Sequence, residues 1–211
     1  ARLSDESAQL STETLQAARE LGLFGLAIPR AYGGLGLPLQ ASCRILDAVG
    51  GVDAALAVVL GVHNGLSASS ILHFGSAEQR QQHLPRLASG EVIGTFCMNE
   101  PAAGSDVAGI RTSCKKDGDH WVLNGRKCYI TNGARASWTV IFATSDPALG
   151  RAGHRAFVVE KGTPGFSVGR IEEKMGLRAS ETAELVLEDC RVPAANLLGG
   201  ELSPAIDELI A

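Results

Sequence analysis

Residues 121–130, Trp-Val-Leu-Asn-Gly-Arg-Lys-Cys-Tyr-Ile, decide how the second half of this chain folds. Asn-Gly between two short runs of β-favouring residues is the strongest short-range hairpin signal, so the stretch predicts two strands joined by a tight turn at Asn124-Gly125. Similar short runs follow at residues 139–143, 156–159, 166–168 and 185–187. Short strands separated by turn residues are typical of an antiparallel barrel or sandwich, and we predict an antiparallel β-barrel.

The residues before about position 92 favour helices instead. Residues 54–62 are almost entirely apolar and follow Asp53, a side chain that suits the N-cap of a buried helix. Ser76 and Gln79 form a capping-box pattern, which predicts an amphipathic helix ending near Pro85. The first half of the chain is therefore predicted to be all-α.

The 211 residues are 45% hydrophobic and 20% charged, a balance typical of a globular protein with a buried core. The change of pattern near residue 92 predicts an α+β multidomain protein. We expect an N-terminal helical domain over residues 1–92 and a middle β-barrel domain over residues 93–198. Residues 199–211 resemble the start of a further helical domain.

Composition also excludes several classes of function. A net charge of −4 without a cluster of Lys and Arg argues against nucleic acid or an anionic membrane as partner and favours a small-molecule ligand. The five cysteines never form a C-x-x-C pair, so we predict neither a disulfide framework nor a metal site. The longest apolar stretch, around residues 54–62, is too short to span a bilayer, and no export signal is apparent, so we expect a cytoplasmic protein.

Residues 96–106, Phe-Cys-Met-Asn-Glu-Pro-Ala-Ala-Gly-Ser-Asp, are the most informative stretch for function. They stand where a strand would end and a polar loop would begin. Their small residues would let a ligand approach the backbone, and the hydroxyl of Ser105 could meet a phosphate or a carbonyl. An ordinary turn between strands explains the same composition, and composition alone does not decide between the two interpretations.

Five stretches together carry a more specific signal. They are residues 99–101 (Asn-Glu-Pro), 103–106 (Ala-Gly-Ser-Asp), 129–133 (Tyr-Ile-Thr-Asn-Gly), 174–178 (Lys-Met-Gly-Leu-Arg) and 189–193 (Asp-Cys-Arg-Val-Pro). In this order they resemble the successive signatures of the FAD-dependent acyl-CoA dehydrogenase family. Matches upstream extend the resemblance over nearly the whole chain.

The resemblance implies a flavoprotein oxidoreductase with an N-terminal helical, a middle β-barrel and a C-terminal helical domain, of which this chain holds the first two. The implied reaction is α,β-dehydrogenation of an acyl-CoA thioester to a trans-2-enoyl-CoA, with hydride transfer to FAD. In the family the catalytic base is a glutamate of the C-terminal domain, so we assign no catalytic residue to this chain. Glu100 and Asp106 are interpreted as loop structure.

By the same resemblance, two segments line the flavin, the first over residues 96–105 and the second over residues 129–131. The implied cofactor-binding residues are Phe96, Met98, Asn99, Gly104, Ser105, Tyr129, Ile130 and Thr131. Ser105 would also touch the pantetheine arm of the acyl-CoA, and His154 would approach the CoA. Tyr129 would pack flat on one face of the flavin ring, and the Thr131 hydroxyl would donate a hydrogen bond to flavin N5.

Without the resemblance, the same residues have simpler interpretations. Tyr129 suits a core or hairpin aromatic, and Thr131 an ordinary β-branched strand residue. His154 and Arg155 suit a solvated loop before a strand. Asn99 stands where family members often carry Thr or Ser, and its amide can still donate to the pyrimidine oxygen of the flavin.

The resemblance implies partners as well. They are an acyl-CoA substrate, an electron-transfer flavoprotein or similar acceptor, and further copies of the chain in a homotetramer. Other functions stay open at this point. The fold also serves flavin monooxygenases, nitroalkane oxidases and dehydrogenases of carrier-protein acyl groups, and the chain could be a non-catalytic fragment that binds FAD or acyl-CoA.

Overall fold

The computed structural model describes residues 2–200, in which helices precede strands along the chain. The helices are α1 (Arg2–Ser7), α2 (Thr12–Glu20), α3 (Leu39–Val52), α4 (Ala54–Val62), α5 (Ser69–Phe74) and α6 (Ala77–Ala88). The strands are β1 (Gly94–Cys97), β2 (Ser113–Asp117), β3 (His120–Thr131), β4 (Trp138–Thr144), β5 (His154–Glu160), β6 (Phe166–Ile171) and β7 (Thr182–Pro193). The predicted order of a helical region followed by a β region is confirmed. The helical start predicted for residues 199–211 lies, from residue 201 on, outside the described residues.

Both predicted helix starts are confirmed by their side chains. The Asp53 carboxylate accepts a hydrogen bond from the Leu56 amide at 3.1 Å and caps α4. Ser76 and Gln79 form a reciprocal capping box at the start of α6, with distances of 3.0 and 3.2 Å. The Gln79 side chain also donates to two carbonyls of residues 195–197, so this cap ties α6 to the segment after β7.

The predicted end of α6 near Pro85 is wrong, because the helix continues to Ala88. Proline inside a helix removes one backbone hydrogen bond and crowds the preceding turn. The last turn is retained because it buries Leu87 and Ala88 in the core between helices and sheet. Packing outweighs the local signal here.

One apolar helix, Ala54–Phe74, runs through α4, a π-helical turn at His63–Ala68 and α5. The helix has 21 residues, and an 18-residue window within it has a mean hydropathy of 1.5, which by length and composition is enough to cross a membrane. The prediction rested on residues 54–62 alone, and the helix that contains them continues to Phe74, so the argument from length does not hold for the whole helix. The fold buries 56% of its apolar window, and Val59, Leu60 and Ile71 lie in the core, as expected of a core helix.

His63, in the π-helical turn, joins the helices to the sheet. Its Nδ1 accepts a hydrogen bond from the Gly94 amide of β1 at 2.9 Å, and its Nε2 donates to the Leu87 carbonyl of α6 at 3.1 Å. Burial lowers the pKa of His63 to about 4, although the bond to Leu87 opposes the shift. The ring is therefore neutral at physiological pH.

Asn64 performs the same task within the helical region. Its side-chain oxygen accepts from the Leu26 amide at 3.0 Å. Its side-chain nitrogen donates to the carbonyls of Leu23 and Leu60 at 2.9 and 3.0 Å. A single buried amide thus fixes the loop after α2 against α4.

The strands form one curled sheet that is mixed rather than wholly antiparallel. β4 is buried at every position and pairs antiparallel with β5 along one edge. Along its other edge it pairs in parallel with β1 and, at one residue, with β2. β2, β3, β7 and β6 then follow in antiparallel order. The predicted β domain is confirmed, with the correction that these two pairings of β4 are parallel.

The hairpin predicted at Asn124-Gly125 is wrong, because both residues lie inside β3. The chain reverses earlier, at Gly118-Asp119 between β2 and β3. Gly125 instead marks a register shift in the pairing of β3 with β7. A Cβ at Gly125 would stand 2.5 Å from the hydroxyl oxygen of Thr112. Close packing, not a turn, therefore requires glycine there.

The main core lies between the helices and β4. Ile71 of α5 belongs to one apolar cluster with Val140 and Phe142 of β4. Trp138, at the start of β4, is fully buried and donates its indole N–H to His83 Nδ1 at 3.2 Å. This packing fixes β4, and through it β1, whose end opens the loop predicted to bind a ligand.

Candidate functional site

The first predicted binding segment leaves the end of β1 and turns outward. Its Phe96 still packs in the core, with its ring centroid 4.8 Å from that of Phe142. Beyond it, Met98 is half-buried and the loop becomes exposed. The exposed predicted residues are Asn99, Gly104 and Ser105.

The second predicted segment contains a β-bulge. Tyr129 has a φ of +57°, and the register between β3 and β7 shifts across it. The bulge turns the Tyr129 side chain outward, 64% exposed, while Ile130 returns to the core at 2%. Thr131 is half-buried, and its carbonyl accepts a hydrogen bond from the Thr95 hydroxyl of β1. A positive φ outside glycine is uncommon and marks a local constraint.

A backbone hydrogen bond brings the two segments side by side. The Cys128 amide, directly before Tyr129, donates to the Asn99 carbonyl at 3.0 Å. A groove of about 420 Å³ adjoins this contact. Aromatic, charged and small side chains line it: Pro101, Arg126, Cys128, Tyr129, Arg170, Glu172 and Glu184. Each predicted segment therefore contributes one residue to this groove, Pro101 from the first and Tyr129 from the second.

A buried ion pair lies where the segments meet. Lys127 Nζ and Glu100 Oε1 are 2.7 Å apart, and their side chains are 0% and 6% exposed. The ammonium also donates to the Met98 carbonyl at 3.2 Å. The carboxylate accepts hydrogen bonds from the Arg111 and Thr112 amides at 2.7 and 3.0 Å.

The environment keeps Glu100 ionised. Burial alone would raise its pKa, but the Lys127 ammonium and the hydrogen bonds from the Thr112 and Arg111 amides outweigh burial and hold the pKa below its usual range. Burial also lowers the pKa of Lys127, and the attraction of Glu100 opposes that shift. Each charge therefore depends on the other.

Sequence reasoning missed Lys127, although one signal pointed to it. Trp121 and Leu123 are buried, and alternate residues of a strand share a face. The same parity places Lys127 on the inward face of β3, where a lysine needs a buried acceptor. Since the acceptor, Glu100, belongs to another motif, the sequence does not name it.

His154 lies elsewhere than predicted. It opens β5 opposite Thr144 and is 1% exposed, so its placement in a solvated loop before the strand is wrong. Arg155 is half-buried and donates to the carbonyls of Ala152 and His154. A buried ring offers little surface to a phosphate, and contact of His154 with CoA stays a prediction.

Metal-binding and thiol chemistry find little support in the described part of the chain. Among residues 2–200, no three His, Cys, Asp or Glu side chains group so that they could hold a metal ion. The five cysteines are free thiols. Burial raises the pKa of Cys97, next to the first segment, to about 12, so its thiol is not a nucleophile at physiological pH.

Comparison with known proteins places these features in a family. The acyl-CoA dehydrogenase N-terminal domain matches residues 1–91, and the middle domain matches residues 95–190. The chain is 44% identical over 191 residues to acryloyl-CoA reductase (NADH) from Anaerotignum propionicum. The aligned region covers 90% of this chain and 48% of that protein.

Two solved structures resemble the fold closely. Butyryl-CoA dehydrogenase from Megasphaera elsdenii superposes with a TM-score of 0.90 at 36% identity, over 94% of this chain and 53% of that one. The prolyl acyl carrier protein oxidase AnaB superposes with a TM-score of 0.92 at 38% identity, over 98% of this chain and 55% of that one. The chain thus spans about half the length of these relatives. It belongs to the acyl-CoA dehydrogenase family and carries the family's N-terminal and middle domains.

Proposed function

We propose that the protein to which this chain belongs is an FAD-dependent acyl-CoA dehydrogenase, which oxidises an acyl-CoA thioester to a trans-2-enoyl-CoA. The observation that carries the proposal is the contact between the two predicted flavin segments. They are distant in sequence, yet the Cys128 amide, directly before the second segment, donates a hydrogen bond to the Asn99 carbonyl of the first. Family membership supports the same chemistry.

The residues of the two segments suit a flat cofactor that carries phosphates. The exposed Tyr129 ring offers a planar surface on which the flavin ring can stack. Among the described residues, other than Gly104 and its two chain neighbours, no heavy atom stands within 4 Å of the Cβ position of Gly104. A ligand can therefore approach that backbone, and exposed Ser105 offers a hydroxyl donor. The residues proposed to hold FAD are Phe96, Met98, Asn99, Gly104, Ser105, Tyr129, Ile130 and Thr131, with buried Ile130 acting through its backbone.

Four residues of the chain then have a proposed role towards the cofactor or the substrate. When bound, FAD supplies the acceptor for the hydride that leaves the β-carbon of the substrate. Tyr129 would orient the ring by stacking, and the Thr131 hydroxyl would donate to N5, where it would stabilise developing charge. Ser105 and His154 are proposed to contact the acyl-CoA.

We assign the proton-abstracting base to none of the described carboxylates. A general base works best with a pKa near the operating pH. Glu100 does not meet this condition, since Lys127 and two amides hold its pKa below the usual range. The base is proposed to be a glutamate of the family's C-terminal domain.

The proposal extends to partners and organisation. We propose an electron-transfer flavoprotein or similar acceptor, a homotetramer and a cytoplasmic location. Residues 1–92 are proposed as the helical domain, residues 93–198 as the domain that binds flavin and acyl-CoA, and residues 199–211 as the start of a further helical domain. These assignments rest on family membership and on the order of helices and strands.

A dehydrogenase acting on a carrier-protein acyl group is the second candidate. AnaB is named as an oxidase of a prolyl acyl carrier protein, and it superposes on this chain as well as the butyryl-CoA enzyme does. The two candidates share the flavin segments and differ in what delivers the acyl group. A substrate comparison therefore separates them.

The experiment is anaerobic reduction of the purified full-length protein, followed in the visible spectrum. We expect a yellow protein whose flavin is bleached by acyl-CoA thioesters of suitable chain length. Bleaching by acyl carrier protein conjugates alone would favour the second candidate. A protein that stays colourless after incubation with FAD would contradict both. The 211-residue chain alone is expected to show no dye reduction with acyl-CoA, because it lacks the proposed base.

A further inference from the structure

The Lys127–Glu100 ion pair lies directly behind both proposed flavin segments. Glu100 follows Asn99 in the first segment, and Lys127 stands two residues before Tyr129, where the second segment begins. Their side chains are 0% and 6% exposed, so the charges face the protein interior and not the groove. The pair can therefore act on a ligand only through the residues that it holds.

Lys127 binds the first segment at residues 98 and 100. Its ammonium donates to the Met98 carbonyl at 3.2 Å and to Glu100 Oε1 at 2.7 Å. Between these two contacts, the Cys128 amide donates to the Asn99 carbonyl at 3.0 Å. Three successive residues of the first segment are thus bound to two successive residues of β3, immediately before Tyr129.

Glu100 fixes the far end of the same loop. Its carboxylate accepts hydrogen bonds from the Arg111 and Thr112 amides, where the chain returns to the sheet. Its backbone also exchanges two hydrogen bonds with Ala103, at 2.8 and 3.1 Å. The loop that carries Ser105 is therefore closed at both ends by one side chain.

Stability alone does not require charges here. A well-packed pair of apolar side chains generally stabilises a core as well as a buried ion pair does. Apolar side chains cannot, however, supply directed hydrogen bonds to three backbone groups of the loop. The two charges therefore determine the backbone geometry of the loop.

We propose that Lys127 and Glu100 are positioning residues for the flavin, which hold Asn99 and Tyr129 at the separation that the bound ring requires. This inference rests on the proposed function. It adds two residues that do not touch the cofactor and assigns them an effect on its affinity and its electronic environment.

The test uses the full-length protein with the double substitution Lys127→Met and Glu100→Gln, which removes both charges and leaves neither unpaired. We expect the dissociation constant of FAD to rise about 10-fold or more, equivalent to about 1.4 kcal/mol. The visible band and the reduction potential of bound FAD should also shift. A merely structural role would lower the urea midpoint while leaving the band, the potential and the dissociation constant as in the parent, and that result would overturn the inference.

The matched control is Arg86→Met with Glu160→Gln. This pair joins α6 to β5 at 2.9 Å and is 33% and 38% exposed, and neither residue belongs to a flavin segment or lines the groove. It should leave the FAD dissociation constant within about twofold of the parental value. An equal rise in the control would overturn the inference, since loss of any ion pair would then suffice.

Two conservative variants cover the case in which the double variant does not fold. Glu100→Asp keeps the charge but shortens the side chain by one methylene, and Lys127→Arg keeps the charge but changes its shape. We expect either to weaken FAD binding about 3-fold or more and to shift the visible band. Parental binding and spectra in both would overturn the inference alone, whereas a parent that binds no FAD would overturn the proposed function itself.

Discussion

Two pairs of buried polar side chains, one pair in each half of the chain, bind backbone groups in different ways. In the helical half, His63 and Asn64 are neutral side chains that bind backbone amides and carbonyls. In the β half, Lys127 and Glu100 do so as ions. Loss of a neutral group leaves hydrogen bonds unmade, whereas loss of one ion also leaves an uncompensated charge in the interior. Loss of one member of either pair should therefore lower the free energy of unfolding by a different amount and with a different dependence on pH.

The two arrangements meet at β1. His63 accepts from the Gly94 amide at the start of β1. Lys127 donates to the Met98 carbonyl, one residue beyond its end. The strand that leads into the proposed flavin loop is thus held from the helical side at one end and from the sheet side at the other.

The largest effect is expected where one ion of the β half is lost. Lys127→Met leaves the Glu100 carboxylate buried without its counter-ion and should lower the free energy of unfolding by about 4 kcal/mol. The neighbouring substitution Arg126→Met is the control, since the Arg126–Glu184 pair is 56% and 21% exposed and should contribute about 1 kcal/mol or less. Urea unfolding followed by tryptophan fluorescence measures both. Similar losses in the two variants would contradict the comparison.

The helical half should respond to acid through His63. Its pKa is about 4 in the folded protein and 6.5 when unfolded, so the unfolded state binds a proton first as the pH falls. Stability from this group is complete above pH 6.5 and is lost as the pH falls to about 4, by roughly 3 kcal/mol in total. Urea midpoints across this range measure the slope, and His63→Gln should flatten it. An unchanged slope in His63→Gln would show that other groups carry the acid sensitivity.

A neutral polar group should matter less than a buried ion. Asn64→Leu removes the partner of the Leu26 amide and of the Leu23 carbonyl while keeping a similar shape. We expect a loss of about 2–3 kcal/mol with no dependence on pH between 5 and 8. The same unfolding assay checks this value. A loss as large as that of Lys127→Met would remove the distinction between neutral and charged groups.

The smallest effect on stability is expected at Thr131, in the second flavin segment. Thr131→Val keeps the β-branched shape but removes the hydroxyl proposed to donate to flavin N5. Flavin reduction should slow by roughly 10-fold or more, at about 1.4 kcal/mol per tenfold, while the free energy of unfolding changes little. Anaerobic stopped-flow with FAD fully bound gives this rate. Parental rates would remove the proposed role of Thr131.

Local signals were sufficient where the partner lies within one helical turn. Asp53 caps an amide three positions away, and Ser76 and Gln79 cap each other, so the sequence alone predicted both helix starts. Asn124-Gly125 misled because the close contact that demands glycine comes from Thr112 of another segment. A dipeptide pattern contains no information about such a contact.

The sequence predicted the two segments of the site but not the buried ion pair that holds them. The resemblance named both segments, and the structure brings them together at Asn99 and Cys128. Lys127 was missed because its partner stands 27 positions away in another motif. The roles of the individual residues and the boundary near residue 92 stay predictions.

The parallel pairing of β1 with β4 has a consequence for the order of folding. β1 pairs with β4 across the whole β2–β3 hairpin, with Gly94 opposite Trp138. Contacts between positions so far apart in sequence form slowly, whereas the helices and the hairpin depend on near neighbours. During synthesis, β1 must therefore wait for β4, and the loop carrying Ser105 gains its final shape only after residue 144 has emerged. We expect a chain with a damaged β4 to lose its ability to capture flavin.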